Sequence, residues 1–108
     1  MQAIDTDWSE LEKQVAEKVF QEAYTRETKA LVSEICKKAS LVTEIQDIWG
    51  LHDYLSAKRH DIDGKYDFDY SALIFVFAKL VKEKWLSLDD LNGIETSKVA
   101  KIAALSKM

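Results

Sequence analysis

The sequence predicts an all-α protein in which long N-terminal helices project from a compact C-terminal helical head. Three observations carry that expectation. The 108 residues contain no proline and only three glycines, Gly50, Gly64 and Gly93, so few positions can break a helix. Charged residues make up 31% of the chain and interleave with apolar ones at spacings of three and four, the period of an amphipathic helix. The first periodic stretch would form a helix about 45 Å long at 1.5 Å per residue, whereas a compact domain of this size has a radius of gyration of about 13 Å. A single domain over residues 1–108 is expected, with a long-helix dimerisation region over about 7–63 and a head over about 69–108.

The first helix is predicted to start near Asp7–Ser9, where Asp7 with Glu10 and Ser9 with Glu12 form competing capping boxes, and to run to about Lys38. Trp8, Leu11, Val15 and Val19 make one apolar stripe. Phe20, Tyr24, Leu31 and Ile35 make a second, rotated from the first by roughly 140°. A projecting helix with two stripes needs two partners, and a second copy of the chain is the simplest supplier, so a homodimer is expected.

The second helix is placed over about 41–63, capped by Ser40 or Thr43 and closed by Gly64 in a left-handed cap. Ile48, Leu51, Leu55 and Ile62 fall within roughly 60° of one another and form its buried stripe. Trp49 lies about 120° from that stripe, level with Asp53, Ser56 and His60, while His52 and Arg59 share the border. A tryptophan among Asp, His and Arg suits a protein-binding site better than a closed core. The alternative packs Trp49 under a neighbouring helix and makes Asp53–Arg59 an ordinary surface ion pair. Gly50, inside this helix, costs about 1 kcal/mol against Ala and softens it beside Trp49.

A third helix is expected from about Asp69 to Trp85, with Leu73, Ile74, Phe77, Leu80, Val81 and Trp85 facing the core. Phe75 then points outward among Ser71, Lys79 and Lys82, a second candidate contact; its alternative is burial against the fourth or fifth helix. Ser87–Asp90 starts a short fourth helix that stops at Gly93. Thr96 caps a fifth, with Val99, Ile102 and Leu105 inward and Lys98 and Lys101 outward.

Composition narrows the function classes. A net charge of −4 offers no broad basic field, so a nucleic-acid partner is not expected. The longest apolar run, Ala72–Ala78, is too short to span a bilayer, and the acidic start MQAIDTDW lacks the apolar core of a secretory signal. Cys36 has no second cysteine to pair with, which fits a reducing, cytoplasmic setting and a small buried hydrophobe. The stretch DIDGKYDFDY resembles a calcium loop only superficially: with Gly64 sixth, Arg59 would be the first ligand and Tyr70 the twelfth, and neither can serve. His52 and His60, eight residues apart on a helix, stand more than about 10 Å apart and cannot share a metal. Cys36, His52 and Asp53 supply the residue types of a cysteine nucleophile, but adjacent His52 and Asp53 diverge by about 100° and no local sequence supports the geometry. No Gly-rich turn is present to cradle phosphate. No catalytic residue, cofactor, metal or small-molecule substrate is expected.

Several words recur in a known order: D-x-W at Asp47–Trp49, LHD at Leu51–Asp53, LSAKRH at Leu55–His60, IDGKYD at Ile62–Asp67 and IFVFA at Ile74–Ala78. Trp8–Ser9 and the set Phe20, Ala23, Tyr24, Arg26 and Glu27 precede them. In these residues the chain closely resembles the cyanobacterial fluorescence recovery protein family, over its whole length and most specifically between Ile45 and Ala78. The resemblance implies an antiparallel helical homodimer whose target is the photoactivated orange carotenoid protein. That target opens in strong light and quenches the phycobilisome antenna. The family binds its C-terminal domain, speeds its return to the closed orange form and helps detach it from the antenna, in the cytoplasm near thylakoids and phycobilisomes. Carried over residue by residue, the family's helix-two patch falls on Trp49, His52, Asp53 and Arg59. Its head contacts fall on Phe75, Lys101 and Leu105. Gly50, Phe68 and Tyr70 depart from the family pattern and bear on target range.

The physics implied is differential binding. A protein that holds the compact or barrier state better than the open state shifts the population or lowers the barrier. Holding two domains of an opened target together raises their effective concentration. A helical dimeric interaction module of another pathway is the competing class, and a small hydrolase ranks behind both.

Overall fold

Ser9 wins the competition between the two capping boxes. In the computed structural model, which describes residues 7–108, its Oγ accepts the Glu12 N–H at 3.1 Å while Glu12 Oε1 accepts the Ser9 N–H at 2.9 Å. The first helix, α1, then runs over Glu10–Ser40, with Glu10 and Glu12 at its positive end and Lys37 and Lys38 at its negative end. Residues 1–6, which belong to the stretch read above for a signal, lie outside the described residues. Trp8 and, on α1, Glu12, Ala16, Val19, Ala23 and Glu27 are buried, one drifting line spaced by three and four. Leu11, expected inside, is 63% exposed. The face is turned by one residue because Glu12 takes the core position, where its carboxylate has three donors to satisfy. Beyond Glu27 no residue of α1 is buried, so its C-terminal part projects, and the molecule measures 56 × 25 × 24 Å with a radius of gyration of 16.9 Å.

After the turn at 41–44 the chain returns along α1 as α2, Ile45–Lys65. Neither Ser40 nor Thr43 caps it. The Ser40 hydroxyl donates back to the Lys37 carbonyl, Glu44 is the N-cap, and Asp47 Oδ2 gathers the N–H groups of Thr43 and Glu44. Gly64 does not end α2 in a left-handed cap; the helix continues to Lys65, whose ammonium is held inside by carboxylates of other elements, and Tyr66 closes it with a bond to the Ile62 carbonyl. Of the expected stripe only Ile62 is buried; Leu51 and Leu55 are half-buried and Ile48 is exposed, because α1 alone covers this part of α2.

The head is built from α3 (Leu73–Lys82), a 3₁₀ turn at Leu88–Leu91 and α4 (Thr96–Ser106). Helix α3 starts later than Asp69 because that side chain accepts from the Ser71 N–H and hydroxyl, holding a local turn. It also ends before Trp85. Lys84 takes a left-handed φ of 70°, its N–H bonds the Val81 carbonyl and the Trp85 N–H bonds that of Leu80, a Schellman closure without glycine. Leu73, Ile74, Phe77 and Leu80 are fully buried against Leu86, Leu91, Ile94 and Ile102, and the small Ala16 and Ala23 let α1 lie close to this core. Val81 and Trp85 are half-buried at its edge. Gly93 turns the chain at φ 106°, and a Cβ there would stand 2.9 Å from Val15 Cγ2. Glu95, not Thr96, is the N-cap of α4. Lys98 is buried rather than outward, its ammonium donating to Glu12 and to the Asp7 carbonyl and lying 5.0 Å over the Trp8 ring. Among the described residues there are four α-helices and no strand.

Candidate protein-binding surfaces

Two polar contacts fasten α2 to α1 along the projecting arm. The Tyr54 hydroxyl donates to Glu34 Oε2 at 2.7 Å, and Lys38 lies 4.6 Å over the same ring. That brace fixes the opposite face of α2 outward. Trp49 is 54% exposed there, and His52, Asp53 and Arg59 are exposed on the same helix. His52 Nδ1 lies 3.3 Å from Asp53 Oδ1, so the two side chains bend toward each other although their Cα–Cβ bonds diverge. Arg59 Nε lies 3.6 Å from Asp63 Oδ2, one turn along, and not with Asp53. Both pairs are fully at the surface, where such contacts stabilise little. Cys36, expected to be buried, is exposed on the overhanging part of α1, where no further layer covers it.

Gly50, next to Trp49, lines a shallow depression with Lys38, Leu41, Val42 and Tyr54 at the arm's turn. A Cβ at Gly50 would meet nothing within 4 Å, so no packing requires glycine there. Val32 on α1, Leu41 at the turn and Ile45 and Ile48 on α2 are likewise exposed along the arm, large apolar side chains that water covers in a single chain.

The second surface is on the head. Phe75 is 60% exposed and lines an open groove with Ala78, Lys79, Lys82, Glu83, Leu105 and Met108. The structure therefore brings Phe75 and Leu105 together from two helices. Lys101, one turn before Leu105 on α4, is exposed and stands outside that lining. Met108 and Glu83 escaped the sequence reading, because the end of α4 and the cap of α3 meet only in the folded head.

Phe68 and Tyr70 join an aromatic chain over α1. Phe68 lies 4.9 Å from Phe20 and 5.2 Å from Tyr70, and Tyr70 in turn 5.8 Å from Trp8, whose indole N–H donates to the Tyr70 carbonyl. These residues brace the loop between α2 and α3. No group of three or more His, Cys, Asp or Glu side chains among the described residues could hold a metal ion. No helix among them is long and apolar enough to cross a membrane.

Fold and surfaces define a class: a small all-helical protein whose exposed features are apolar and aromatic contact faces. Comparison with known proteins gives the family. The model of the photoprotection regulator fluorescence recovery protein matches residues 8–106. The chain is 44% identical over 108 residues to the fluorescence recovery protein of Synechocystis sp. PCC 6803, covering 100% of this chain and 99% of that one. It is similar to the solved fluorescence recovery protein of Fremyella diplosiphon, with a TM-score of 0.92 and 53% identity over 94% of this chain and 100% of that chain. The solved Synechocystis structure gives a TM-score of 0.91 and 46% identity over the same shares. The chain belongs to the fluorescence recovery protein family, regulators of photoprotection.

Proposed function

We propose that this protein acts as a homodimer that binds the photoactivated orange carotenoid protein through that target's C-terminal domain. It accelerates return of the target to the orange form and helps detach it from the phycobilisome, which restores antenna fluorescence. The observation that carries this reading is Phe75, a phenylalanine held exposed by a helix whose Leu73, Ile74, Phe77 and Leu80 are all buried. Beside it, the lysines of the groove offer charge for orientation. The Trp49, His52, Asp53 and Arg59 face of α2 supplies the second contact, and the apolar arm around Ile45 and Ile48 supplies the surface that a second copy covers. Phe75, Leu105 and Lys101 act in the head contact. Acceleration comes from binding the compact or barrier state of the target more tightly than its open state, with no covalent step.

The protein works in the cytoplasm near thylakoids and phycobilisomes, where its target meets the antenna. The test is the dark recovery of illuminated orange carotenoid protein with and without this protein, followed as the return of the orange spectrum. Equal recovery rates at several ratios of the two proteins would remove the reading.

A further inference from the structure

Three elements meet at one buried ammonium. Lys65 Nζ, on the last turn of α2, belongs to a side chain only 1% exposed. It donates to Glu27 Oε2 of α1 at 2.8 Å and to Glu83 Oε1, at the cap of α3, at 2.6 Å. Asp61 Oδ2, one turn earlier on α2, is 3.7 Å away.

The two main carboxylates are not equivalent. Glu27 is 3% exposed, and its other oxygen accepts the Tyr66 hydroxyl at 2.7 Å. Removing it would take the most buried partner from the Lys65 ammonium and the acceptor from the half-buried Tyr66 hydroxyl, so this half is an anchor. Glu83 is 34% exposed and lines the Phe75 groove while holding the interior ammonium. Lys84, directly after it, carries the left-handed backbone of the α3 closure, a conformation that needs support from its surroundings. Water in the open groove screens the outer side of the Glu83–Lys65 pair. An apolar group seated on Phe75 expels that water, and the attraction of the pair rises as the local dielectric falls. The last turn of α2 is then drawn more firmly against the head.

We propose that Lys65 is a positioning residue that couples the Phe75 groove to the C-terminal end of α2, tightening that end when the groove is filled. The proposal rests on the reading that the orange carotenoid protein engages the groove. Coupling of this kind is reciprocal, so a target held on α2 raises the affinity of the groove by the same factor.

Amide hydrogen exchange over residues 61–65, with and without illuminated orange carotenoid protein, tests it. In the free protein Glu83→Gln, which keeps the fold because Glu27 and Asp61 still face Lys65, exchanges there about fivefold faster. With target bound, exchange at 61–65 slows about fivefold in the wild type and is unchanged in Glu83→Gln, even at concentrations that saturate both. A loss of packing alone would not abolish that transmitted response. Equal slowing in Glu83→Gln, no slowing in the wild type, or unaltered free-state exchange in the variant would each overturn the coupling. The affinity of Phe75→Ala separates the two ideas. If it binds as tightly as the wild type, the groove is not the contact, and the coupling falls with it for that distinct reason.

Discussion

Lys98 Nζ lies 3.1 and 3.2 Å from the two oxygens of Glu12, tying the last helix to the first turn of the first across 86 residues of chain. Both side chains are nearly excluded from water. A buried charge left without its partner typically costs about 3–5 kcal/mol. Lys98→Met is therefore expected to lower the unfolding free energy, read from urea titration, by an amount in that range, while Lys101→Met, on the exposed side of the same helix, stays within about 0.5 kcal/mol of the wild type. Comparable unfolding free energies for the two variants would show that the Glu12 contact is not what holds α4.

Stability should peak in a broad neutral window. Arg26 donates to Asp90 and holds its carboxyl below the ordinary range, with the Ser87 N–H assisting. Burial pushes the Glu12 carboxyl up, but bonds from the Ser9 and Glu95 N–H groups and from Lys98 outweigh it, so Glu12 also titrates low. Depressed carboxylates give stability that is present above their ordinary range near about pH 4 and is lost as pH falls through the lower folded values. Burial pushes Lys65 down, yet its bonds to Glu27 and Glu83 leave it raised, and burial with the Glu27 bond raises Tyr66. Groups raised in this way give stability that is full below about pH 10 and is lost as pH climbs through the folded values. Melting curves between pH 2 and 11 check both limbs on about this scale. Asp90→Asn is expected to flatten the acid limb, and an unchanged limb would remove Asp90 from it.

Phe75 and Phe77 are two residues apart and opposite in burial, 60% and 0% exposed. Phe75→Ala should move the unfolding free energy by less than about 0.5 kcal/mol while weakening the contact with the carotenoid protein. Phe77→Ala should cost about 3–5 kcal/mol. Denaturant titration of both variants, beside a binding assay of the first, checks the pair. A large stability loss in Phe75→Ala would mean that the side chain is covered.

The apolar arm predicts a homodimer. Light scattering at micromolar concentration should give about twice 12.4 kDa, and Ile45→Asp, which places a charge on an exposed apolar residue, should shift the population toward monomer without unfolding the head. A folded monomer in the wild type at every dilution would sink this.

Arg59 separates a functional patch from a structural one. Its side chain is 86% exposed and its neighbour is Asp63 in the same helix, so Arg59→Leu should leave the melting temperature within a degree or two while strongly lowering recovery activity. Arg59→Lys should rescue little, since an ammonium cannot reproduce the planar fork of a guanidinium. Full activity in Arg59→Leu would leave Phe75 and the head as the whole site.

What the sequence determined by itself was everything set within a turn or two of chain. The shortage of breakers made the protein helical, two overlapping capping boxes at Asp7–Glu10 and Ser9–Glu12 marked the start of α1 to within two residues, and Trp49 and Phe75 stood outside their helices' apolar faces as they do in the fold. Tertiary structure decided what the 100° step per residue leaves open, namely which neighbour covers each face. Glu12 rather than Leu11 turned inward because Lys98 and the Glu95 N–H arrived from the other end of the chain. Helix α2 ran past Gly64 because Lys65 found Glu27 and Glu83, 38 and 18 residues away. The groove at Phe75 exists only where the cap of α3 meets the end of α4. A buried charge is stable only beside its partners, and partners brought together by folding leave no trace in local periodicity.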